Sequence, residues 1–420
     1  MIKLKVYFET FGCTSNRADT QIMEGFVEVN HELVEGLEEC DVAVINSCAV
    51  IEHTQRKVIK RVREVKDVGK KVVLAGCLSK IDLSSLLECR PDCAIPPGSI
   101  NLINQALDAA SEGTQFRPLN LRSDKPSLIR KLDGEVIVPI PIAEGCLGSC
   151  SYCATRSARG RLRSFGFESI INAAEKAVSS GCRELQLTGQ DTGIYGKDTG
   201  SSLAELLTEI CRVKGDFRIR VGMMNPSFVV DILDALVEAF AHEKVYRFLH
   251  LPVQSGDDEV LEHMQRGYTI EDFTSIVEKF RKGLLDLTLS TDVIVGYPAE
   301  DETSFLKTYQ LIERIKPDIL NITRFSPRPN TPADMLKDIP DRIKKERSRK
   351  MSSLARKIST EINKKYLGRV EEVLITEHGK NGTLLARMDS YKQVVLKDGK
   401  VGEFKKVKIR DTKAHYLIAG

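Results

Sequence analysis

Two successive series of short β-branched runs, each followed by a helical stretch, leave this chain few folds to choose from. In the first, from Leu4 to about Ala110, the runs are LKVYFE, DVAVIN (41–46) and KVVLAG (71–76), with the basic amphipathic stretch IEHTQRKVIKRVREVK among the segments between them. Strands alternating with helices require a parallel sheet with crossover helices. The second series starts at EVIVPIPIA (135–143) and continues through strands near Leu185, Ile219, Phe248, Val293 and Leu320, bracketing helices such as FESIINAAEKAVSS and TIEDFTSIVEKFRK. Six such units are too few for a closed eight-stranded barrel and suit an open, partial (β/α)6 barrel. In either α/β arrangement a site forms at the carboxyl ends of the strands.

The polar stretch SEGTQFRPLNLRSDKPSLIRKLDGE (111–135) has no periodicity and reads as a linker. Pro340 opens a long charged helix that ends before Gly368, and short alternating strands follow, with turn signals at Asn381-Gly382 and Asp398-Gly399. That last piece predicts a small all-β barrel of the oligonucleotide-binding type. The expected division is a parallel-sheet N-terminal domain over 1–115, a linker over 116–135, a barrel domain over 136–340, a basic helix over 341–365 and the small barrel over 366–420.

With 42% hydrophobic and 29% charged residues the 420-residue chain has the composition of a globular protein. No 18-residue apolar run and no signal-peptide pattern stands out, so a membrane location is not expected. Eleven cysteines, an odd number spread along the chain, fit a reduced, cytoplasmic protein with thiolate or metal chemistry better than a disulfide scaffold. The net charge of +3 conceals an asymmetry. Residues 341–420 hold 21 Lys and Arg against 10 Asp and Glu, whereas the rest holds 41 against 49. The basic end is a candidate anchor for a polyanion.

The sharpest chemical signal is EGCLGSCSYC, which spaces Cys146, Cys150 and Cys153 as CxxxCxxC just after the first strand of the second series. Three thiolates can ligate three irons of a four-iron cluster and leave the fourth open to a ligand, the arrangement needed for radical chemistry with S-adenosylmethionine. A zinc site more often pairs CxxC units or adds His, and this loop has no His. Tyr152 would lie beside the open iron, where its face could pack a base. Cys13, Cys48 and Cys77 each follow a strand of the first series, so the topology should bring them to one crevice, again three thiolates for a cluster. Cys40, Cys89, Cys93, Cys182 and Cys211 read as packing residues, although ECRPDC gives Cys89 and Cys93 a ligand-like spacing. In the partial barrel, strand-end loops offer Gly189, Gly256 and Gly296 for close backbone approach to a ligand, and Gln190, Asp191, Gln254 and Ser255 to bond its polar groups. His250 reads as a satisfied core histidine.

Over nearly its whole length the chain resembles the radical S-adenosylmethionine methylthiotransferases, with cluster domain, radical domain and TRAM domain in that order. TFGCTSNRADT, NSCAV, AGC, EGCLGSCSYC, TGQDTGIYG, HLPVQSG and TPADM are similar to the archaeal and eukaryotic branch that modifies N6-threonylcarbamoyladenosine in tRNA. The resemblance implies two [4Fe-4S] clusters, a radical one on Cys146, Cys150 and Cys153 and an auxiliary one on Cys13, Cys48 and Cys77. It further implies that one S-adenosylmethionine methylates a sulfur at the auxiliary cluster, while another yields the radical that removes the hydrogen from adenine carbon 2. The tRNA anticodon loop would be the substrate, its backbone held by Lys364, Lys365, Arg369, Lys405, Lys406 and Arg410. An electron donor protein and a sulfur source are the other partners implied, the enzyme itself being a monomer away from the membrane.

Thr14 and Ser15 after the first cysteine depart from bacterial relatives, and Leu78 and Ser79 follow Cys77 in place of the more usual Pro or Gln; neither change removes a ligand. Two alternatives stand beside this reading. A ribosomal-protein aspartate methylthiotransferase has the same domains but no need of a polyanion grip, and a non-catalytic iron-sulfur RNA-binding protein has no use for an open iron.

Overall fold

The computed structural model describes residues 3–48, 52–81 and 83–420. Strands β1 (Lys5–Thr10), β2 (Glu32–Val34), β3 (Val42–Ser47), β4 (Lys71–Gly76) and β5 (Cys93–Ile95) form one parallel sheet in the order β2-β1-β3-β4-β5. Successive strand residues point to opposite faces, and each face has its own helical cover. Helices α1 (Thr14–Asn30) and α5 (Ile103–Glu112) bury Ile22, Val27, Ala106 and Leu107 against Val6, Val44 and Val73. Helix α2 (Glu52–Asp67) seats Val58, Val62 and Val65 on Ala43, Ile45 and Leu74 opposite. Every residue of β3 is buried, as expected for a parallel strand covered on both sides. Short helices α3 (Leu78–Ile81) and α4 (Leu83–Cys89) lie between β4 and β5. In this strand order the chain leaves β1 to opposite sides for β2 and β3, and ligand crevices open at such a reversal, outside the strand carboxyl ends.

Residues 116–135, expected as a linker, carry no strand but are tied down. The Phe116 carbonyl accepts from the Ala94 amide at 3.0 Å, the Lys131 amide donates to Gln21 at 2.8 Å, and Phe116 and Leu128 pack on the N-terminal core. Scattered apolar residues without a period were enough to fasten this strap, which is why its attachment does not show as a pattern in the sequence.

The second unit contains β6 (Ile137–Pro141), β7 (Ala143–Glu144), α6 (Thr155–Arg159), β8 (Arg163–Ser164), α7 (Phe167–Ser179), β9 (Glu184–Thr188), α8 (Leu203–Cys211) and β10 (Arg218–Val221). It continues through α9 (Pro226–Val229), α10 (Leu233–Phe240), β11 (Phe248–His250), α11 (Asp258–His263), α12 (Ile270–Gly283), β12 (Thr288–Val295), α13 (Glu302–Ile315) and β13 (Ile319–Arg324). The six long strands form two parallel triplets, β6-β9-β10 and β11-β12-β13, joined by a parallel bridge between Ile219 and Val245. The result is an open, six-stranded (β/α)6 barrel. Its edges are covered: Gln21 on α1 donates to the Ile137 carbonyl of β6 at 3.4 Å, and α14 (Asp341–Lys364) bonds the start of β13 through Ser359.

Strands β14 (Val370–His378), β15 (Leu384–Met388), β16 (Gln393–Leu396), β17 (Phe404–Thr412) and β18 (Leu417–Ala419) close into a small barrel around Val373, Ala386, Val394 and Ile409. It docks on the amino end of the larger barrel. The Tyr391 ring lies 4.8 Å from the rings of both Tyr246 and Phe248, and Asp389 accepts from Arg218 at 2.9 Å. Among the described residues no helix is long and apolar enough to cross a membrane.

Candidate functional site

Cys13, Cys48 and Cys77 stand at the carboxyl ends of β1, β3 and β4, with Cys13 and Cys48 on either side of the reversal point. A buried amide network pins the three strand ends to one another. Asn16 donates to Asn46 Oδ1 and to the Ser47 carbonyl, both at 3.0 Å, while Asn46 donates to the Asn16 carbonyl and to Thr20. The Ser47 carbonyl also receives the Cys77 amide at 2.9 Å, and the Asn46 carbonyl receives that of Phe11 at 2.8 Å. Gly76 has φ of 90° and a Cβ there would lie 2.3 Å from Asn46 Oδ1, so only glycine lets β4 approach the network. Cys13 is exposed and donates to Asn16 Oδ1 at 3.4 Å; Cys48 and Cys77 are buried. Burial pushes the Cys77 thiol up to about 11; the positive charge of nearby Arg159 opposes the rise, and Cys48 and Cys13 stand near enough to add to it.

The loop carrying Cys146, Cys150 and Cys153 leaves β7 and enters α6. Gly145, with φ of 82°, turns so tightly that a Cβ would meet the Arg161 carbonyl at 2.2 Å. The sulfurs of Cys146 and Cys150 flank Gly148: a Cβ on it would sit 3.4 Å from one and 3.7 Å from the other. Each receives a hydrogen bond, Cys146 from the Gly148 amide at 3.2 Å and Cys150 from Arg266 at 3.3 Å. Burial, followed by the charge of Asp191, pushes the Cys146 thiol up to about 12. Tyr152 projects to the Tyr297 and Phe325 rings, 6.5 Å from the former and edge-on to it.

Arg266 tests whether this loop suits an iron-sulfur cluster. It is buried, and among the described residues no carboxylate lies within ion-pair distance of it. A buried guanidinium needs an anionic neighbour, and a set of thiolates on a negatively charged cluster provides one. Among the described residues no three His, Cys, Asp or Glu side chains are grouped to hold a single metal ion.

The two cysteine sets meet across a polar junction absent from the expectations. Lys125 of the strap bonds Asp19 at 2.6 Å and Glu144 at 2.8 Å, and Arg159 of α6 pairs with the same carboxylates at 2.8 and 3.0 Å. All four side chains are largely buried. Burial alone would raise the Glu144 carboxyl, but Lys125 and Arg159 outweigh it and hold the group below its ordinary value. Beside this cluster Ser15 lies 3.0 Å from Thr188 at the end of β9.

The strand-end loops divide into two groups. Asp191, buried, accepts from the amides of Gly193 and Asn225, and burial pushes its carboxyl up to about 7. Gly189 follows β9, and Gln254, in left-handed backbone with φ of 67°, bridges Val293 of β12. The others engage protein neighbours. Gln190 accepts the Gly145 amide at 2.6 Å and so buttresses the cysteine loop. Ser255 and Gly256 both contact Thr308 of α13, and the close approach at Gly256 is by the Thr308 backbone. At Gly296 it is by Lys344 of α14. His250 is 3.1 Å from Asp292. Cys40, Cys89, Cys93, Cys182 and Cys211 are buried, and the thiols of Cys40, Cys93 and Cys182 bond backbone carbonyls.

At the basic end Lys364, Lys365 and Lys406 are exposed, and among the described residues none enters an ion pair. Arg369 is held by Asp286 and Glu371, Lys405 by Asp398, and Arg410 donates to the Gly420 carbonyl.

Three family matches cover most of the chain: residues 5–96 match Uncharacterized protein family UPF0004, residues 140–312 the Radical SAM superfamily, and residues 364–420 the TRAM domain. A [4Fe-4S] cluster and S-adenosylmethionine are the cofactors of the superfamily. Among solved structures, the radical S-adenosylmethionine methyltransferase TsrM from Kitasatospora setae is similar in fold, with a TM-score of 0.59 over 79% of this chain and 74% of that one, at 16% identity. Fold and site together define a radical S-adenosylmethionine enzyme with a TRAM domain as its C-terminal barrel. A protein of Archaeoglobus fulgidus named probable threonylcarbamoyladenosine tRNA methylthiotransferase is 49% identical over 99% of this chain and 98% of its own length. One of Pyrococcus horikoshii with the same name is 44% identical over 99% of each. The threonylcarbamoyladenosine tRNA methylthiotransferase of Homo sapiens is 30% identical over 98% of this chain and 73% of its length. The chain belongs to the threonylcarbamoyladenosine tRNA methylthiotransferase family.

Proposed function

We propose that this protein converts N6-threonylcarbamoyladenosine beside the tRNA anticodon into its 2-methylthio derivative, using two [4Fe-4S] clusters. The observation that carries the reading is the junction at which Arg159, on the helix that follows the CxxxCxxC loop, pairs with Asp19 of α1, the helix that begins directly after Cys13 of the other cysteine set. Cys146, Cys150 and Cys153 would hold the radical cluster and Cys13, Cys48 and Cys77 the auxiliary one. When bound, cluster and S-adenosylmethionine supply hydrogen removal from an unactivated adenine carbon, beyond the reach of acid and base side chains.

The chain's own residues do the positioning. Asn16, Asn46 and Ser47 fix the auxiliary thiols, and the Gly148 amide and Arg266 stabilise negative charge on the radical-loop sulfurs. Gly189, Asp191 and Gln254 would contact S-adenosylmethionine, and Tyr152 of the cysteine loop would pack its base. Lys364, Lys365 and Lys406 grip the tRNA backbone; an electron donor and a sulfur source complete the reaction. The +11 end favours tRNA over a ribosomal protein as substrate, as do the names of the relatives.

Nucleoside mass spectrometry on tRNA from cells with and without the protein tests the assignment. Loss of the methylthio mark on threonylcarbamoyladenosine is expected, and an unchanged profile would refute it. Anaerobic reconstitution should load on the order of eight irons, falling by about half in Cys13→Ala or Cys146→Ala.

A further inference from the structure

A cavity of about 190 Å³ opens where the N-terminal domain, the strap and the segment after the radical loop meet. Its wall carries Lys80, Arg122, Arg159, Arg161 and Arg163 against a single carboxylate, Glu144. Glu144 is already committed to Lys125 and Arg159. Among the described residues Lys80, Arg122, Arg161 and Arg163 enter no ion pair, and Arg163 has only the Ser123 carbonyl at 3.4 Å and the Phe165 ring. Four cations from three separate segments therefore surround one hole with no protein counter-charge. Lys80, Arg122 and Arg161 are exposed, so water screens their repulsion, but the convergence makes the hole a region of positive potential that favours an entering anion.

The position narrows what that anion is. Lys80 lies one helical turn beyond Cys77 and its amide bonds the Cys77 carbonyl at 3.2 Å. Arg159, also in the cavity wall, pairs with Asp19 of α1, the helix that starts directly after Cys13. Arg161 and Arg163 follow the radical loop directly. The hole thus sits beside the junction of the two cysteine sets and at the opposite end of the partial barrel from the docked C-terminal barrel. Its volume is below the roughly 300 Å³ at which pockets begin to enclose whole drug-sized ligands, so it suits a substituent and not a complete nucleoside. Guanidinium forks match the two oxygens of a carboxylate better than an ammonium does.

We propose that this cavity receives the carboxylate of the threonyl substituent on the target adenosine, and so distinguishes that nucleoside from unmodified adenosine or one with an apolar substituent. The inference rests on the function proposed above, and names the part of the site that reads the substrate. A backbone phosphate has the same oxyanion chemistry, and the test separates the two sources.

Full-length protein, reconstituted anaerobically, is titrated with three anticodon stem-loops: threonylcarbamoyladenosine, its threonine methyl ester, and unmodified adenosine at the target position. The wild type is expected to bind the acid about tenfold or more tightly than the ester, the loss expected when charge-assisted bonds are removed. In Arg122→Gln/Arg161→Gln the acid and ester should bind equally, with affinity for the ester and the unmodified loop unchanged. Lys80→Gln/Arg163→Gln should behave the same way, and circular dichroism on both confirms folding. Equal binding of acid and ester by the wild type, or a preference that survives both double variants, overturns the proposal. So does equal weakening of all three loops, which would assign the cavity to phosphate. Methylthio product measured on the acid loop with wild-type enzyme reports separately on the proposed function: its absence would sink that reading, whatever the binding ratios show.

Discussion

Asn46 shows how much of the auxiliary site depends on one uncharged side chain. It is fully buried, and its amide joins the first two turns of α1 to the end of β3. Asn46→Ala removes one of the two acceptors of the Asn16 side-chain amide and the donor to the Asn16 carbonyl and Thr20, at a cost of about 1–3 kcal/mol. We expect iron bound at Cys13, Cys48 and Cys77 to fall, read by iron analysis of Asn46→Ala in a Cys146→Ala background, and that at the radical loop to be retained, read in a Cys13→Ala background. Glu24 on α1 provides a residue-scale pH test. Burial pushes its carboxyl up to about 7, with Lys131 opposing and Glu135 and Glu28 adding to the rise. A carboxyl whose folded value exceeds its unfolded value favours folding below about 4.5 and loses that contribution as pH climbs through about 7. Glu24→Gln should therefore stabilise the protein at pH 8 by on the order of 1–3 kcal/mol and have little effect at pH 4, as measured by denaturant unfolding at both values.

Among elements, the strap between the first two domains decides more than its composition suggests. Its Lys125 is almost wholly buried between Asp19 of α1 and Glu144 of β7, and so ties three segments together. Removing one member of a buried ion cluster leaves an uncompensated charge, with a cost of about 3–5 kcal/mol. Lys125→Met should lower the midpoint of the first unfolding transition in guanidinium, whereas Lys131→Met on the same strap should shift it far less. The strands of both series were legible because β-branched runs at crossover spacing have few other uses. The strap was not, since a lone lysine in a polar stretch acquires its meaning from two carboxylates more than a hundred and about twenty positions away in opposite directions along the chain.

For the whole molecule, the C-terminal barrel sits on the amino end of the partial barrel, with Tyr391 wedged between Tyr246 and Phe248. On the function proposed, a tRNA held at the basic end would reach around to the cysteine loops at the opposite strand ends. Replacing Lys364, Lys365 and Lys406 with Gln should reduce the slope of log affinity against log salt by about 2–3 without changing which nucleoside is modified. An unchanged slope would place the RNA on another surface. Tyr391→Ala should detach the barrel, appearing as an early cleavage at 365–369 in limited proteolysis.

The sequence by itself determined the strand and helix alternation, the small C-terminal barrel and the spacing of the CxxxCxxC loop, because period and spacing are local properties. It also implied that Cys13, Cys48 and Cys77 belong together, since thiols after parallel strands share one end of a sheet. Only the tertiary structure decided that Gln190 buttresses the cysteine loop, that Gly256 and Gly296 admit Thr308 and Lys344, and that four unpaired cations surround one cavity. Those are contacts between segments far apart in the chain. Burial and the distance between charges, which set their chemistry, have no period for a sequence to display.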